Sequence, residues 1–370
     1  MIAQKSIDEL SEVIDIVKVA HHINIDLKKR GSGYTACCPF HEENTPSFHI
    51  NPVKQIFKCF GCGAGGDAIK LVMDKEHLDY PDTVRKLADL FNVTLEEIQA
   101  NEEDKEIKEK KLSLYDMNRG AAAHYQKQLL FHLNNPDSSH WAVEELVEKR
   151  MLSKDSIVEF QLGFAPDNAS FLSSKMIAAG LYQMANDLGL CKTKEEQVTD
   201  MFVNRIMFPI HNERGQIVGF GGRKQEDGNK MNPKYINSKA SMIYRKEEVL
   251  YGLYQAKQSI RKENCAIITE GYYDVITLHQ AGMTNTVAPC GTAITESHAK
   301  KLKRLCSSVI LLCDGDEAGW KANLRAIDIL TIAGLRVEVC ELPEGQDPDT
   351  FTRALEVDVW DEQKVGEVAA

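Results

Sequence analysis

The sequence lacks the features that place a protein in or across a membrane. No apolar run within its 370 residues reaches the length of a membrane-spanning helix, and the first residues, Met1 to Ser6, do not read as a signal peptide. A Gly-x4-Gly-Lys-[Ser/Thr] loop is also missing, which excludes a helicase domain of the P-loop kind. We therefore expect a soluble, cytoplasmic chain with no membrane partner.

An overall excess of positive charge is missing too. The net charge of -11 argues against non-specific coating of nucleic acid, because binding to a phosphate backbone is driven by positive potential. The charge is uneven, however, since residues 201–262 contain twelve Lys/Arg and five Asp/Glu. This basic block predicts a local positive surface on an otherwise acidic protein.

The ten cysteines do not form the framework of a disulfide-rich protein. They are scattered through a long chain without a secretory signal, and Cys265, Cys313 and Cys340 lie inside apolar runs, where a thiol behaves as a small hydrophobe. Only Cys38, Cys59 and Cys62 have the spacing of metal ligands.

The pattern around these three cysteines is Cys38-x2-His41, seventeen residues, then Cys59-x2-Cys62. Two short-looped pairs of soft or borderline donors suit one tetrahedral, structural Zn²⁺, which would supply folding energy to a small segment. The alternative is four metal-free residues packed in a core. Cys37 is an alternative to Cys38, although Cys38 gives the tighter turn with His41.

A second set of candidate residues follows apolar runs near the C-terminus. The run that begins at Cys265 ends at Glu270-Gly271, and the run that begins at Ser308 ends at Asp314-Gly315-Asp316. The segments between them predict alternating helix and strand: helix Asp274 to Gln280, strand Asn285 to Ala288 and helix Thr295 to Leu305. Such alternation is typical of a parallel, doubly wound sheet, which binds ligands at the carboxyl ends of its strands.

Clustered carboxylates at such an edge repel one another unless cations lie among them. Hard cations such as Mg²⁺ take oxygen ligands and share them with substrate phosphates, so the chemistry indicated is phosphoryl transfer. Asp-Gly-Asp alone is usually a turn and Glu-Gly alone a strand end. Their recurrence at strand ends of one sheet is what favours a metal site.

With a third acidic element, Gln346-Asp347-Pro348-Asp349 after the predicted strand Leu335 to Leu342, this arrangement resembles the Toprim fold of primases, topoisomerases and some nucleases. The resemblance implies that Glu270 is the general acid/base or a metal-linked group. It also implies that Asp314, Asp316 and Asp347 are ligands of Mg²⁺ or Mn²⁺.

The segments Pro39 to Phe48 and Cys59 to Asp67 resemble the zinc-binding domain of bacterial DNA primases of the DnaG type, a small zinc-ribbon sheet. Aromatic residues here alternate with lysines: Tyr34, Phe48, Phe57 and Phe60 with Lys54 and Lys58. They suit a stacking platform for single-stranded DNA, or equally the core of a small domain.

The basic block resembles the polymerase domain of the same family. Its first part predicts a hairpin of strands Arg205 to Ile210 and Ile217 to Arg223. The resemblance assigns template or nucleotide phosphates to Arg205, Lys234, Asn237 and Lys246, and we add Arg223 as a further group for the triphosphate.

Helical periodicity fills much of the remaining chain. It predicts helices over Ser6 to Ile25, Asp67 to Phe91, Leu112 to Asn134 and His140 to Phe160. The mixed-charge run 101–111 predicts a solvated helix or linker.

Together these features predict a multidomain α/β and α+β protein. We expect a zinc-ribbon domain over 1–100, the linker 101–111, a basic subdomain over 112–258, a Toprim subdomain with a parallel-sheet core over 259–352 and an acidic tail over 353–370. By resemblance the chain is a DNA primase, a DNA-directed RNA polymerase that takes single-stranded DNA and ribonucleoside triphosphates. The domain with which relatives bind the replicative helicase is expected to be absent.

Two other functional classes remain open from the residues. A Toprim nuclease would use the same carboxylates with water as nucleophile, although the block from Arg205 to Tyr251 argues against it. A non-catalytic DNA-binding regulator with a zinc module would tolerate loss of Asp314.

Overall fold

The computed structural model describes residues 2–41, 43, 45–76, 78, 80–96, 102–135, 139–194, 196–226, 232–312, 317–340, 342–343 and 346–354. The chain divides into two compact units, Met1–Glu106 and Ile107–Ala370. None of the helices in these ranges combines the length and the apolar content needed to span a membrane.

The first unit is a five-stranded antiparallel sheet in chain order with helices packed on it. Its strands are β1 (Lys28–Arg30), β2 (Gly33–Ala36), β3 (Phe48–Asn51), β4 (Ile56–Cys59) and β5 (Gly65–Gly66). Its helices are α1 (Gln4–Val13), α2 (Ile16–His22), α3 (Ala68–Glu76) and α4 (Tyr80–Phe91). Buried side chains from both layers, among them Leu10, Phe48 and Leu71, form one apolar core. The small zinc-ribbon sheet expected here is confirmed.

The single helix predicted over Ser6 to Ile25 is instead two helices, α1 and α2. Asp15 lies between them in an extended conformation, and its Oδ1 accepts hydrogen bonds from the backbone N–H groups of Val17 and Lys18. An aspartate in this position starts a new helix, because it satisfies N–H groups that have no partner in the first turn. Apolar periodicity continues through the break and therefore hides it.

Helix α5 (Glu102–Leu133) contains the boundary between the two units. Its first turns, from Glu102 to Lys110, are exposed, so the described part of the mixed-charge run is a solvated helix. The stretch His140 to Phe160, predicted as helical throughout, is α6 (Trp141–Val143), a π-helical turn (Glu144–Lys149) and α7 (Lys154–Glu159).

Residues 163–237 of the second unit form a four-stranded antiparallel sheet, a small hairpin and two short helices. In chain order the elements are β6 (Gly163–Ala165), α8 (Ser173–Ala178), α9 (Tyr182–Asp187), β7 (Cys191–Lys194), β8 (Gln197–Asp200), β9 (Arg205–His211), β10 (Ile217–Lys224) and β11 (Tyr235–Asn237). The sheet order is β11-β10-β9-β6. The predicted hairpin is thus present as β9 and β10, and its turn is closed by a hydrogen bond from Asn212 N to Gln216 O, with Gly215 at φ +80°.

The remaining elements build a sheet that is parallel except at one edge. They are β12 (Leu250–Tyr251), α10 (Leu253–Glu263), β13 (Cys265–Ile268), α11 (Tyr272–Gln280), β14 (Thr286–Pro289), α12 (Glu296–Lys303), β15 (Ser308–Leu312), α13 (Glu317–Ile332), β16 (Arg336–Cys340) and a last described helix, α14, over 348–354. The strand order is β12-β14-β13-β15-β16, and only β12 runs antiparallel to its neighbour. The predicted parallel-sheet core is confirmed, and β13, β14, β15 and β16 end at the same edge.

Candidate functional site

The four predicted zinc ligands lie together in the first unit. Their donor atoms are all within 4.8 Å of one another. Cys38 Sγ is 3.7 Å from Cys62 Sγ, and Cys59 Sγ is 3.9 Å from His41 Nδ1. Strand β4 supplies Cys59 and the turn after it supplies Cys62, while Cys38 and His41 come from the loop after β2. Three thiols and one imidazole in this arrangement fit a tetrahedral Zn²⁺.

Cys38, rather than Cys37, belongs to this cluster, and Cys37 is exposed. Burial raises the pKa of the Cys38 thiol to about 12. A thiol in this environment ionises when a cation offsets the cost of burying its charge, which is the chemistry that a bound zinc supplies.

Glu43 supports the cluster, and sequence reasoning missed it. Its Oε2 lies 3.2 Å from His41 Nε2, on the opposite side of the ring from the nitrogen that faces Cys59. Its Oε1 accepts hydrogen bonds from the backbone N–H groups of Cys38 and Ser47. A carboxylate that orients a ligand histidine in this way is a common outer partner of zinc sites. Its position two residues after His41 was the available signal.

The aromatic residues of this unit divide between core and surface. Phe48 and Phe57 are buried with their rings stacked at 5.3 Å, so these two are core. Phe60 is 74% exposed, beside the edge of His49, and the neighbouring Lys58 is exposed as well. Only the exposed members are placed to contact a ligand.

In the second unit, two of the predicted acidic residues come after strands of the parallel sheet in the chain. Glu270 is exposed and comes two residues after the end of β13, in the turn before α11. Asp347 precedes α14, and its Oδ1 accepts a 2.6 Å hydrogen bond from Thr350 N. Asp314 and Asp316 lie outside the described residues, although β15, after which they come, ends at Leu312 between β13 and β16.

The predicted phosphate-binding cations have different surroundings. Arg205 is buried and donates to the carbonyl oxygens of Gly222 and Pro233, so it supports the loop that carries Lys234. Lys234 is half-exposed, with Nζ 3.0 Å from Glu226 Oε1. Lys246 is exposed. Of these cations, the two lysines are the ones open to an incoming ligand.

Arg223 belongs to a buried ion cluster that sequence reasoning did not find. The cluster consists of Glu145, Arg150, Arg223, Asp349 and Arg353. The carboxylate of Glu145 lies 3.1 Å from Arg150 Nε and 2.9 Å from Arg223 Nη1, and Asp349 pairs with Arg150 and Arg353. Thr277 Oγ1 donates to Asp349 Oδ1, and the Arg150 guanidinium lies over the ring of Tyr273. The cluster therefore connects the π-helical turn, β10, α11 and α14.

The last predicted residue, Asn237, is half-buried at the end of β11. Its amide contacts two other elements: the hydroxyl of Tyr272 at the start of α11, and the backbone of Cys290 directly after β14. It thus lies at the carboxyl edge of the parallel sheet, the same edge at which Glu270 follows β13.

Comparison with known families matches three segments of the chain in order. A CHC2 zinc finger matches residues 2–103, the N-terminal domain of the DNA primase catalytic core matches 125–257, and a Toprim-like domain matches 267–352.

Curated relatives and solved structures agree with these matches. The DNA primase of Pseudomonas putida is 40% identical over 97% of this chain, and that of Halalkalibacterium halodurans is 38% identical over 99%. The chain spans only 54% and 60% of those two proteins. The crystal structure of the zinc-binding and RNA polymerase domains of Aquifex aeolicus primase matches with a TM-score of 0.60 at 37% identity, covering 96% of this chain and 84% of that one. A DnaG primase catalytic domain bound to single-stranded DNA matches with a TM-score of 0.59 at 34% identity, covering 67% of this chain and 78% of that one.

Proposed function

This chain belongs to the family of DnaG-type bacterial DNA primases, and from that premise we propose that it synthesises short RNA primers on a single-stranded DNA template. The observation that carries the proposal is the order of its parts along one chain. A Cys/His cluster fit for zinc comes first, a basic antiparallel sheet follows, and a parallel sheet with acidic residues after its strands comes last.

In this proposal Glu270, Asp314, Asp316 and Asp347 hold Mg²⁺ or Mn²⁺ at the carboxyl edge of the parallel sheet. The donor set fits, because carboxylate oxygens are the ligands that hard divalent cations prefer. When bound, the metal ions would lower the effective basicity of the primer 3′-hydroxyl and stabilise the leaving pyrophosphate.

The protein groups of the basic block bind and orient the nucleotide and template. Lys234 and Lys246 are exposed and would neutralise phosphates, while Arg205 fixes the loop that carries Lys234. Arg223 would reach a phosphate by exchanging its 3.4 Å contact with the exposed Glu226. Asn237 would contribute hydrogen bonds at the edge of the parallel sheet.

The first unit would bind one structural zinc and contact the template. Phe60 offers an exposed ring on which a base can stack, with Lys54 and Lys58 nearby in sequence for the backbone. These groups suit a surface that helps to select the site on the template where primer synthesis starts. We infer a cytoplasmic location, where replication substrates are present.

Primer synthesis with labelled ribonucleotides on single-stranded DNA tests the proposal. We expect products with Mg²⁺ and none with a chelator, and we expect Asp316→Asn to abolish synthesis while leaving the fold intact, because removing one of several clustered charges relieves repulsion. The matched control is Asp328→Asn, which makes the same change at an exposed position of α13. Full activity of Asp316→Asn would overturn the assignment, and degradation of the template without synthesis would identify a nuclease.

A further inference from the structure

The side-chain amide of Asn237 joins two sheets of the second unit. Tyr272 Oη donates a 2.7 Å hydrogen bond to Asn237 Oδ1, and Asn237 Nδ2 donates a 3.0 Å hydrogen bond to the carbonyl oxygen of Cys290. A carbonyl oxygen only accepts, so the atom that faces Cys290 must be the amide nitrogen. The orientation of the amide is therefore fixed by chemistry, and the tyrosine hydroxyl must be the donor to its oxygen.

Two glycines leave the space that this arrangement needs. Gly221 lies opposite Asn237 in the pairing of β10 with β11, and a Cβ at position 221 would overlap the ring of Tyr272. Gly291 has φ +68°, and a Cβ there would lie 2.8 Å from Asn237 Nδ2. A side chain at either position would displace the tyrosine or the amide. The absence of a side chain at both glycines is therefore what leaves room for the hydrogen bonds of Asn237.

The tyrosine that donates is itself held by two other aromatic rings. Its ring stacks on Phe208 with a centroid distance of 5.1 Å and meets Tyr251 edge-on at 4.7 Å. Burial raises the pKa of the Tyr272 hydroxyl well above its ordinary value, so the hydroxyl keeps its proton and remains a donor. Tyr272 is also two residues after Glu270, so its position is tied to that of the turn that presents the carboxylate.

We propose that Tyr272 is a positioning residue for the nucleotide site: its hydroxyl fixes the amide of Asn237 relative to the strand end that carries Glu270. The inference rests on the proposed function, in which Asn237 contacts the nucleotide. An amide nitrogen carries two hydrogens, and among the described residues only the Cys290 carbonyl takes one. The second hydrogen is thereby aimed by Tyr272 and Cys290 and is available to an oxygen of the nucleotide.

Tyr272→Phe removes the donor and keeps the ring. We expect KM for the ribonucleoside triphosphate to rise about fivefold to tenfold, which is the order of one lost neutral hydrogen bond, with kcat within about twofold. The control is Tyr251→Phe, because the buried Tyr251 hydroxyl has no hydrogen-bond partner among the described residues. The control should keep the parent KM.

A double-mutant cycle with Asn237→Ala separates positioning from packing. If Tyr272 acts through the amide, Tyr272→Phe should not raise KM further in the Asn237→Ala background. An equal rise in both backgrounds, or a rise no larger than that of Tyr251→Phe, would overturn the proposal.

The same cycle measured by unfolding separates failure of this inference from failure of the proposed function. If the parent chain makes no primers, the proposed function is wrong. The coupling of Tyr272 to Asn237 in the free energy of unfolding is then the remaining test, and additive effects of the two changes would overturn the inference on its own.

Discussion

Removing the carboxylate of Asp349 should destabilise the second unit far more than removing a surface carboxylate. Asp349 is 1% exposed and accepts from Thr277 Oγ1 at 2.7 Å, from Arg353 Nε at 3.2 Å and Nη2 at 2.9 Å, and from Arg150. In Asp349→Ala, Arg353 would lose the carboxylate with which it pairs, and Arg150 would keep only the carboxylate of Glu145, which it shares with Arg223. Removing one partner of a buried ion pair costs about 3–5 kcal/mol, because the other charge stays buried and uncompensated.

The assay is thermal and urea unfolding of the full chain, read by a probe in the second unit. For a domain of this size, about 3–5 kcal/mol lowers Tm by on the order of 10 °C. The control is Glu338→Ala on β16, which removes the partner of Arg336 in a pair that is exposed on both sides and should cost less than about 1 kcal/mol. A loss for Asp349→Ala no larger than that of Glu338→Ala would refute the assignment of Asp349 to a structural role. Asp349→Asn should lie between the two, since it keeps one acceptor oxygen.

Three further predictions concern the zinc cluster, the basic block and acid stability. Cys59→Ser should lose one zinc per chain by elemental analysis and unfold the region around the cluster without unfolding the second unit, and unchanged zinc content would contradict the metal assignment. Lys234→Ala should weaken DNA or nucleotide binding and reduce the slope of log affinity against log salt by about one, whereas an unchanged slope would make Lys234 an ordinary surface lysine. Burial lowers the pKa of His211 and of His298 to about 4. The folded chain therefore binds fewer protons than the unfolded chain between about pH 6.5 and pH 4, so the free energy of unfolding should decrease as the pH is lowered through this window. In His211→Gln, unfolding measured against pH should show a smaller decrease over the same window, and a decrease equal to that of the parent would contradict the burial of a neutral His211.

The parts of the site that depend on short spacing could be predicted from the sequence. Cys38 and His41 lie within one turn of the chain, and so do Cys59 and Cys62. The spacing inside each pair is therefore set by local geometry, and it can be recognised in the sequence. Likewise, the apolar run that ends before Glu270 is strand β13, because four consecutive apolar residues between a helix and a turn can be buried on both faces of a parallel sheet.

The parts that depend on distant pairing could not be predicted in this way. Arg150 and Asp349 are 199 positions apart, and nothing in either local pattern indicates that they meet. The pairing of Arg223 with Glu145 likewise joins two distant segments, and it places a side chain that is 2% exposed on β10, a strand that is buried along its whole length. Tyr272 begins helix α11 and Asn237 ends strand β11, 35 positions earlier in the chain, and only the folded chain brings them into contact.

The most direct test of the central claim is to sequence the RNA that the chain makes on a defined single-stranded DNA template. The account predicts short RNA products that are complementary to the template, formed with Mg²⁺ by the parent chain and absent with Glu270→Gln. Products unrelated to the template, or complementary products at the parent rate from Glu270→Gln, would contradict it.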